Sequence, residues 1–229
     1  MRLTPLALAA VVLLAVAAAA QVAGGEAPAA YAGPDRRVEC TSPAGATVAL
    51  DGAGSRAADN DTLARHVWTE DGRVVAEGAS AQVTLPLGRH ELRLAVWNAT
   101  QEVANDTVVI EVVDTTPPAL AVLPSVGALA ARGHRMVPVT FAVTATDACG
   151  PAGFVLASVA SDEPADGRGD GRTAPDVEGA DVGTPDTTMA FRAERAGPGD
   201  GRTYAATYRA TDAGGNAAEA TGVVLVPHG

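Results

Sequence analysis

Between Val108 and Pro118 the chain reads VVIEVVDTTPP. A run of β-branched residues stops at Asp114, two threonines and two prolines follow, and a second β-rich region begins. Alternating β-branched residues fit a pleated, half-buried strand. Pro117 and Pro118 have no N–H to give to a ladder and hold the backbone extended. The segment therefore reads as the last strand of one module, a short stiff hinge, and the approach to a second module. Such an arrangement points to a chain that spans and binds.

The N-terminus carries a targeting signature. Arg2 supplies a positive start, Leu6 to Ala20 is an unbroken apolar run, and Ala18-Ala19-Ala20 offers small residues for cleavage before Gln21. The run is shorter than the ~20 residues a spanning helix needs, so residues 1–20 read as a signal helix and not as an anchor. The remaining chain is long enough for two domains of about 100 residues each, with no membrane span expected in the mature protein. The expected location is secreted, outside the cell. The formal net charge of −11 repels phosphate backbones and excludes nucleic acid as a natural partner. All sixteen basic residues are arginine, and with abundant Ala, Gly, Pro and Asp this composition points to a GC-rich, bacterial genome.

Short strand-like segments recur along both halves. In the first, Thr47 to Leu50 alternates and ends at Asp51-Gly52, and His66-Val67-Trp68 leads to Asp71-Gly72, a hairpin turn pair. Val83, Leu85 and Leu87 are expected on one face, as are Leu92, Leu94 and Val96. His66, two residues before Trp68, is expected to fill a core position. In the second half Met136 to Thr146 reads as a strand in which Pro138 marks an edge. Val155 to Ser161, Thr188 to Arg192, Thr203 to Thr211 and Thr221 to Val226 follow. Asp162 to Thr187, rich in Gly, Asp and Pro, is expected to be a mobile surface excursion. The tetrapeptide Gly-Asp-Gly-Arg, at 169–172 and 199–202, reads as a turn both times. No window shows a 3.6-residue period, so the fold class is all-β.

Several motifs in order carry a resemblance. Ala32-Gly33-Pro34-Asp35-Arg36, Val38-Glu39-Cys40, Val48-Ala49-Leu50-Asp51-Gly52, the Trp68 strand and Thr84-Leu85-Pro86-Leu87-Gly88 resemble a bacterial polycystic-kidney-disease-type (PKD) domain over residues 32–114. Residues 119–228 are similar to the Ig-like modules, akin to hyalin repeats, that follow such domains. Gly133-His134-Arg135-Met136-Val137-Pro138-Val139, Thr146-Asp147-Ala148-Cys149, Phe191 to Arg195 and Thr211 to Asn216 carry that likeness. The resemblance implies two tandem Ig-like β-sandwiches after the signal helix and a non-catalytic spacer or binding role. It also implies a buried core tryptophan at Trp68.

Catalysis has little to stand on. His66, His90, His134 and His228 show no metal-ligand spacing, and there is no nucleophile elbow. Arg168-Gly169-Asp170 spells an integrin tripeptide and reads as chance. Calcium is the expected cofactor if there is one, because hard cations want several oxygens in one place. One candidate site is the loop with Asp59 and Asp61, where Ala57-Ala58 replaces the first Asp-Pro of the family's pattern and removes a ligand. The other is the hinge, where Asp114, Asp147 and Asp212 each end a strand pointing at the junction; the alternative is a solvated set of turn aspartates. Trp97 falls out of phase with Leu92, Leu94 and Val96 and should leave the sheet on its outer side. There it is either an exposed platform for sugars or a side chain covered by a neighbour.

The chain has two cysteines, Cys40 and Cys149. An exported protein meets an oxidising compartment, and neither module contains a pair. In an Ig-like sandwich Cys40 lies between the first two strands, at the pole facing the hinge, and Cys149 follows the strand taken as second in its module. An intramolecular bond would therefore cross the hinge. Two unpaired thiols, or a bond to another chain, are the alternatives. The functional expectation is an exported, non-enzymatic adhesive or spacer unit meeting an extracellular protein or a polysaccharide surface. The rival is a carbohydrate-binding protein centred on Trp97.

Overall fold

The computed structural model describes residues 27–58, 61–131, 133–168, 171–197 and 200–228, so the expected signal segment 1–20 lies outside the described residues. Within them every regular element is a strand, as an all-β chain requires. The first sandwich contains β1 (Arg36–Glu39), β2 (Ala46–Asp51), β3 (Leu63–Glu70), β4 (Arg73–Glu77), β5 (Ser80–Leu85), β6 (Gly88–Asn98) and β7 (Val103–Val113). One sheet has the order β1-β7-β6-β3-β4, with β1 parallel to β7, and the other pairs β2 with β5. Period-two patterning builds both faces: Leu92, Leu94 and Val96 of β6 and Val108, Ile110 and Val112 of β7 meet Val48, Leu50, Val83 and Leu85. Trp68 lies fully buried among them, its indole N–H donating to the Gly78 carbonyl at 3.1 Å. Asp71 and Gly72 both adopt positive φ, as the two-residue turn between β3 and β4 demands.

Two sequence expectations for this sandwich need correction. Leu87 does not share the inward face of Val83 and Leu85; β5 ends at Leu85, the alternation stops there, and Leu87 is exposed. His66 is only half-buried, because a two-stranded sheet covers only part of the five strands opposite. That partial burial still pushes its imidazole pKa down.

The second sandwich contains β8 (Ala119–Pro124), β9 (Met136–Thr146), β10 (Gly153–Ser161), β11 (Val177–Glu178), β12 (Thr188–Arg192), β13 (Gly201–Thr211) and β14 (Ala217–Pro227). The sheet β11-β12-β9-β8 faces the sheet β10-β13-β14. Aromatic packing dominates its core: Phe191 stacks on Tyr204 at 4.6 Å between centroids and meets Phe141 edge-on at 6.2 Å. Pro138 lies on a strand that is interior to its sheet, yet at Pro138 itself the strand is an edge, as expected. It is tolerated because the pairing of β8 with β9 ends at Phe141, leaving Pro138 a neighbour only in β12.

The described residues between Asp162 and Thr187 do not form a loose excursion. Arg202, fully buried on β13, donates to Asp176, to Glu163 Oε2 at 3.1 Å and to the Pro164 carbonyl at 3.1 Å. Strand β11 pairs with β12, and Gly183 and Thr184 exchange backbone hydrogen bonds with Leu156. The Gly201-Arg202 half of the second Gly-Asp-Gly-Arg is the start of β13 and not a turn. Gly169, Asp170 and Gly199, from the repeated tetrapeptide and the Arg-Gly-Asp sequence, lie outside the described residues.

Gly222 shows how tightly the two sheets meet. A Cβ there would come within 2.7 Å of the Phe141 ring and 2.8 Å of Val122. Gly222→Ala should therefore destabilise the protein by about 1–3 kcal/mol, as overpacking of a close-packed core does. Urea denaturation checks this, and an unchanged midpoint would contradict the packing described.

Candidate functional site

The residues that sequence reasoning placed at the hinge do meet there. Strand β1 runs parallel to β7, so Cys40 emerges beside the end of β7, and its N–H donates to the Val113 carbonyl at 2.7 Å. On the other side Ala119 of β8 pairs with Thr146 of β9, which returns the 147–149 turn to the point where the second sandwich begins. The Asp147 carboxylate accepts the Cys149 N–H at 2.7 Å and shapes that turn. Cys40 and Cys149, 109 residues apart in sequence, are joined in a disulfide with Cα atoms 5.8 Å apart. Cys40 is buried, and Cys149 packs against the first sandwich's core although the chain supplies it from the second.

Polar contacts tie the linker down around this bond. The Glu39 carboxylate accepts the Thr115 N–H at 2.8 Å and the hydroxyls of Thr115 and Thr116 at 2.9 and 2.8 Å. These bonds favour its charged form and hold its pKa below the usual carboxylate value. The two threonines of the hinge thus have a specific partner, which the sequence pattern did not reveal. From the β13–β14 turn of the second sandwich, Asn216 donates its side-chain amide to the Asp114 carbonyl at 3.1 Å and to Asp212 at 3.0 Å. Gly214 lets that turn approach, since a Cβ there would lie 3.3 Å from the same carbonyl. Each sandwich therefore contributes side chains that hold the linker.

The acidic residues gather at the same place. Oxygens of Asp114 and Asp147 and the Cys149 sulfur lie within 4.8 Å of one another. Partial burial raises the Asp114 pKa, and the charges of Asp147, Asp212 and Glu39 push it the same way. Asp212 is buried and its two oxygens already accept from Asn216, and the Cys149 sulfur is spent in the disulfide. What faces outward is a pair of oxygen donors, Asp114 and Asp147, under mutual repulsion, which suits a hard cation. Of the other loop, Asp59 lies outside the described residues. Asp61 accepts the N–H of Thr62 and joins no cluster of three ligand-type side chains among the described residues.

Trp97 does leave the outer side of the sheet, but it is not an open platform. It is half-buried, with the Arg65 guanidinium carbon 5.5 Å from its ring centroid. A neighbour on β3 covers it, one of the two outcomes its position allowed.

Sequence reasoning missed a second constellation, in the second sandwich. Around buried Arg202 stand Asp176, Glu163 and the Tyr204 hydroxyl. Next to them Glu194, also buried, bonds His134 Nδ1 at 2.6 Å and accepts the Thr173 hydroxyl. Burial raises the pKa values of Asp176 and Tyr204. The one visible signal was the arginine that ends the repeated tetrapeptide Gly-Asp-Gly-Arg.

No protein-family model matches the chain, and neither does any curated protein. Among solved structures it is similar to a nucleoside hydrolase-related hypothetical protein from Saccharophagus degradans, at 22% identity over 38% of this chain and 26% of that one, TM-score 0.31. It is similar to fibronectin(III)-like modules of Clostridium thermocellum CbhA, at 12% identity over 85% of this chain and 90% of that one, TM-score 0.28. It is also similar to extracellular cadherin domains 3–6 of protocadherin gamma B2, at 17% identity over 88% and 51%, TM-score 0.31. The chain thus spans about a quarter of the first and half of the last.

Peptide mapping of the purified protein under non-reducing conditions should recover one linked pair, Cys40 with Cys149. Breaking that bond releases a closed loop of about a hundred residues and should cost about 4–5 kcal/mol in the chain-entropy account. Two free thiols, or a disulfide-linked dimer, would contradict the assignment.

Proposed function

We propose that the protein is a non-enzymatic extracellular adhesive or spacer unit, built to present binding surfaces at a fixed angle. The observation that carries this reading is the junction: Glu39 and Asn216 hold, and a disulfide bridges, a five-residue linker from Asp114 to Pro118 that a flexible tether would leave alone. Inter-domain contacts within one chain are otherwise small and permit relative motion. Here the covalent bond sits at the point about which such motion would occur. The partner is an extracellular protein or polysaccharide surface, met by the exposed outer faces of the sheets. A pull-down of the mature chain against native cell-surface and envelope material should retain a discrete component, without chemical change to it. Turnover of a peptide, glycoside or ester substrate by the purified chain would overturn the reading. Polysaccharide binding lost in Trp97→Ala would favour the carbohydrate-binding rival.

Calcium belongs to the same reading as a stiffener of the junction. A divalent cation between Asp114 and Asp147 would relieve the repulsion that raises the Asp114 pKa, and a ligand that binds only the folded state raises stability by mass action. Thermal melting in millimolar calcium should give a higher midpoint than in chelator, and Asp147→Asn should erase the difference. Identical curves for the wild-type chain would sink the calcium role.

A further inference from the structure

The carboxylates of the second sandwich pose a question that the junction does not answer. Asp176 is 6% exposed and Glu194 is 3% exposed, yet they stand in side-chain hydrogen-bond contact. Each has one oxygen engaged: Asp176 Oδ2 by Arg202, and Glu194 Oε2 by His134 and Thr173. The remaining oxygens, Asp176 Oδ1 and Glu194 Oε1, are buried and accept no hydrogen bond. Their nearest donor, Arg192 Nε, lies 3.5 and 3.9 Å away, and the Arg192 guanidinium is already committed to the carbonyls of Pro175 and His134. Two buried carboxyl groups in contact, each with a bare oxygen, satisfy one another when a proton lies between them.

We propose that Asp176 and Glu194 share one proton, and that this proton is a latch holding residues 171–187 against the end of the second sandwich. Asp176 immediately precedes β11, so the latch sits at the root of the segment that pairs with β12 and, through Gly183 and Thr184, with β10. With the proton in place the pair is a hydrogen bond. Without it two like charges are pressed together out of water, and the segment lifts to hydrate them.

The surrounding charges set the direction. Arg202 and Tyr204 face the pair from β13, Arg192 from β12, Glu163 from the end of β10, and His134 from the loop before β9, with Arg195 next to Glu194 in the chain. Burial raises the Asp176 pKa most, Arg202 opposes that shift, and Glu194 adds to it. A carboxyl whose folded-state pKa is raised gives stability that is full at acid pH and lost as pH rises through the folded value. The segment is therefore tightest in acid and loosens toward alkaline pH. His134, whose side chain is 47% exposed and bonded to Glu194, gives the proton its path to solvent.

Amide exchange at residues 176–178 and 183–184, corrected for the intrinsic pH effect, tests the latch at about pH 5 and about pH 8.5. Protection in the wild-type chain should fall by about tenfold or more, the change that one unit of differential titration brings. Asp176→Asn and Glu194→Gln each supply a permanent N–H donor in place of the shared proton, and should stay protected at both pH values. Equal wild-type protection at the two pH values, or variants that keep the wild-type fall, would overturn the proposal. Carboxyl-carbon NMR of the wild-type chain decides the matter even if neither variant folds. One carboxyl of the pair still protonated above the ordinary carboxylate range is the expected result, and two carboxylates that both ionise within or below that range would overturn it.

Discussion

Joining two β-sandwiches end to end poses a problem that neither sandwich can solve alone, because each buries its own hydrophobic residues inside and leaves little apolar surface at its poles. The Cys40–Cys149 bond addresses it by packing a side chain of the second module against the core of the first. The strand order makes this available. Because β1 is parallel to β7, Cys40 leaves its sheet at the same pole as Val113, and because β8 and β9 are antiparallel, Cys149 returns to the pole where the second module starts. Glu39, adjacent to Cys40, then gathers the linker threonines, and Asn216 reaches the Asp114 carbonyl from the other side. The acidic cluster is a consequence of the same crowding: strand ends that converge bring their terminal aspartates together.

The second sandwich solves a different problem with charge. Its edge strand β10 would otherwise expose backbone donors and acceptors to pairing with other chains. The segment 171–187 covers that edge at Leu156 and adds β11 to the opposite sheet. A segment so rich in Gly, Pro and Asp brings little hydrophobic surface of its own, so its docking depends on polar groups. Burying Arg202 completely is costly unless its donors find acceptors, and Glu163, Pro164, Asp176 and the Tyr204 hydroxyl accept from it.

Much of the fold was legible because its information is local. The alternation at Leu92, Leu94 and Val96 fixed which face is buried, and Asp71-Gly72 fixed a turn, since both follow from the geometry of one strand or one hairpin. The cysteine pairing was legible for a different reason: two residues and a known strand direction leave few arrangements. What escaped was whatever depends on long-range partners. Nothing near Glu39 announces that it will clamp threonines some 76 residues away. Nothing near Arg202 marks it as buried, because its acceptors lie in a stretch whose composition reads as loose loop. His66 and Leu87 were misplaced because alternation says which side a residue faces but not where the opposite sheet stops.

The junction contacts require the two sandwiches to behave as one body. Residual dipolar couplings measured on the oxidised chain test this most directly, because each sandwich reports its own orientation. Couplings from residues 36–113 and from residues 119–227 should fit a single alignment tensor, and should separate into two once the Cys40–Cys149 bond is reduced. Two independent tensors in the oxidised protein would contradict the account.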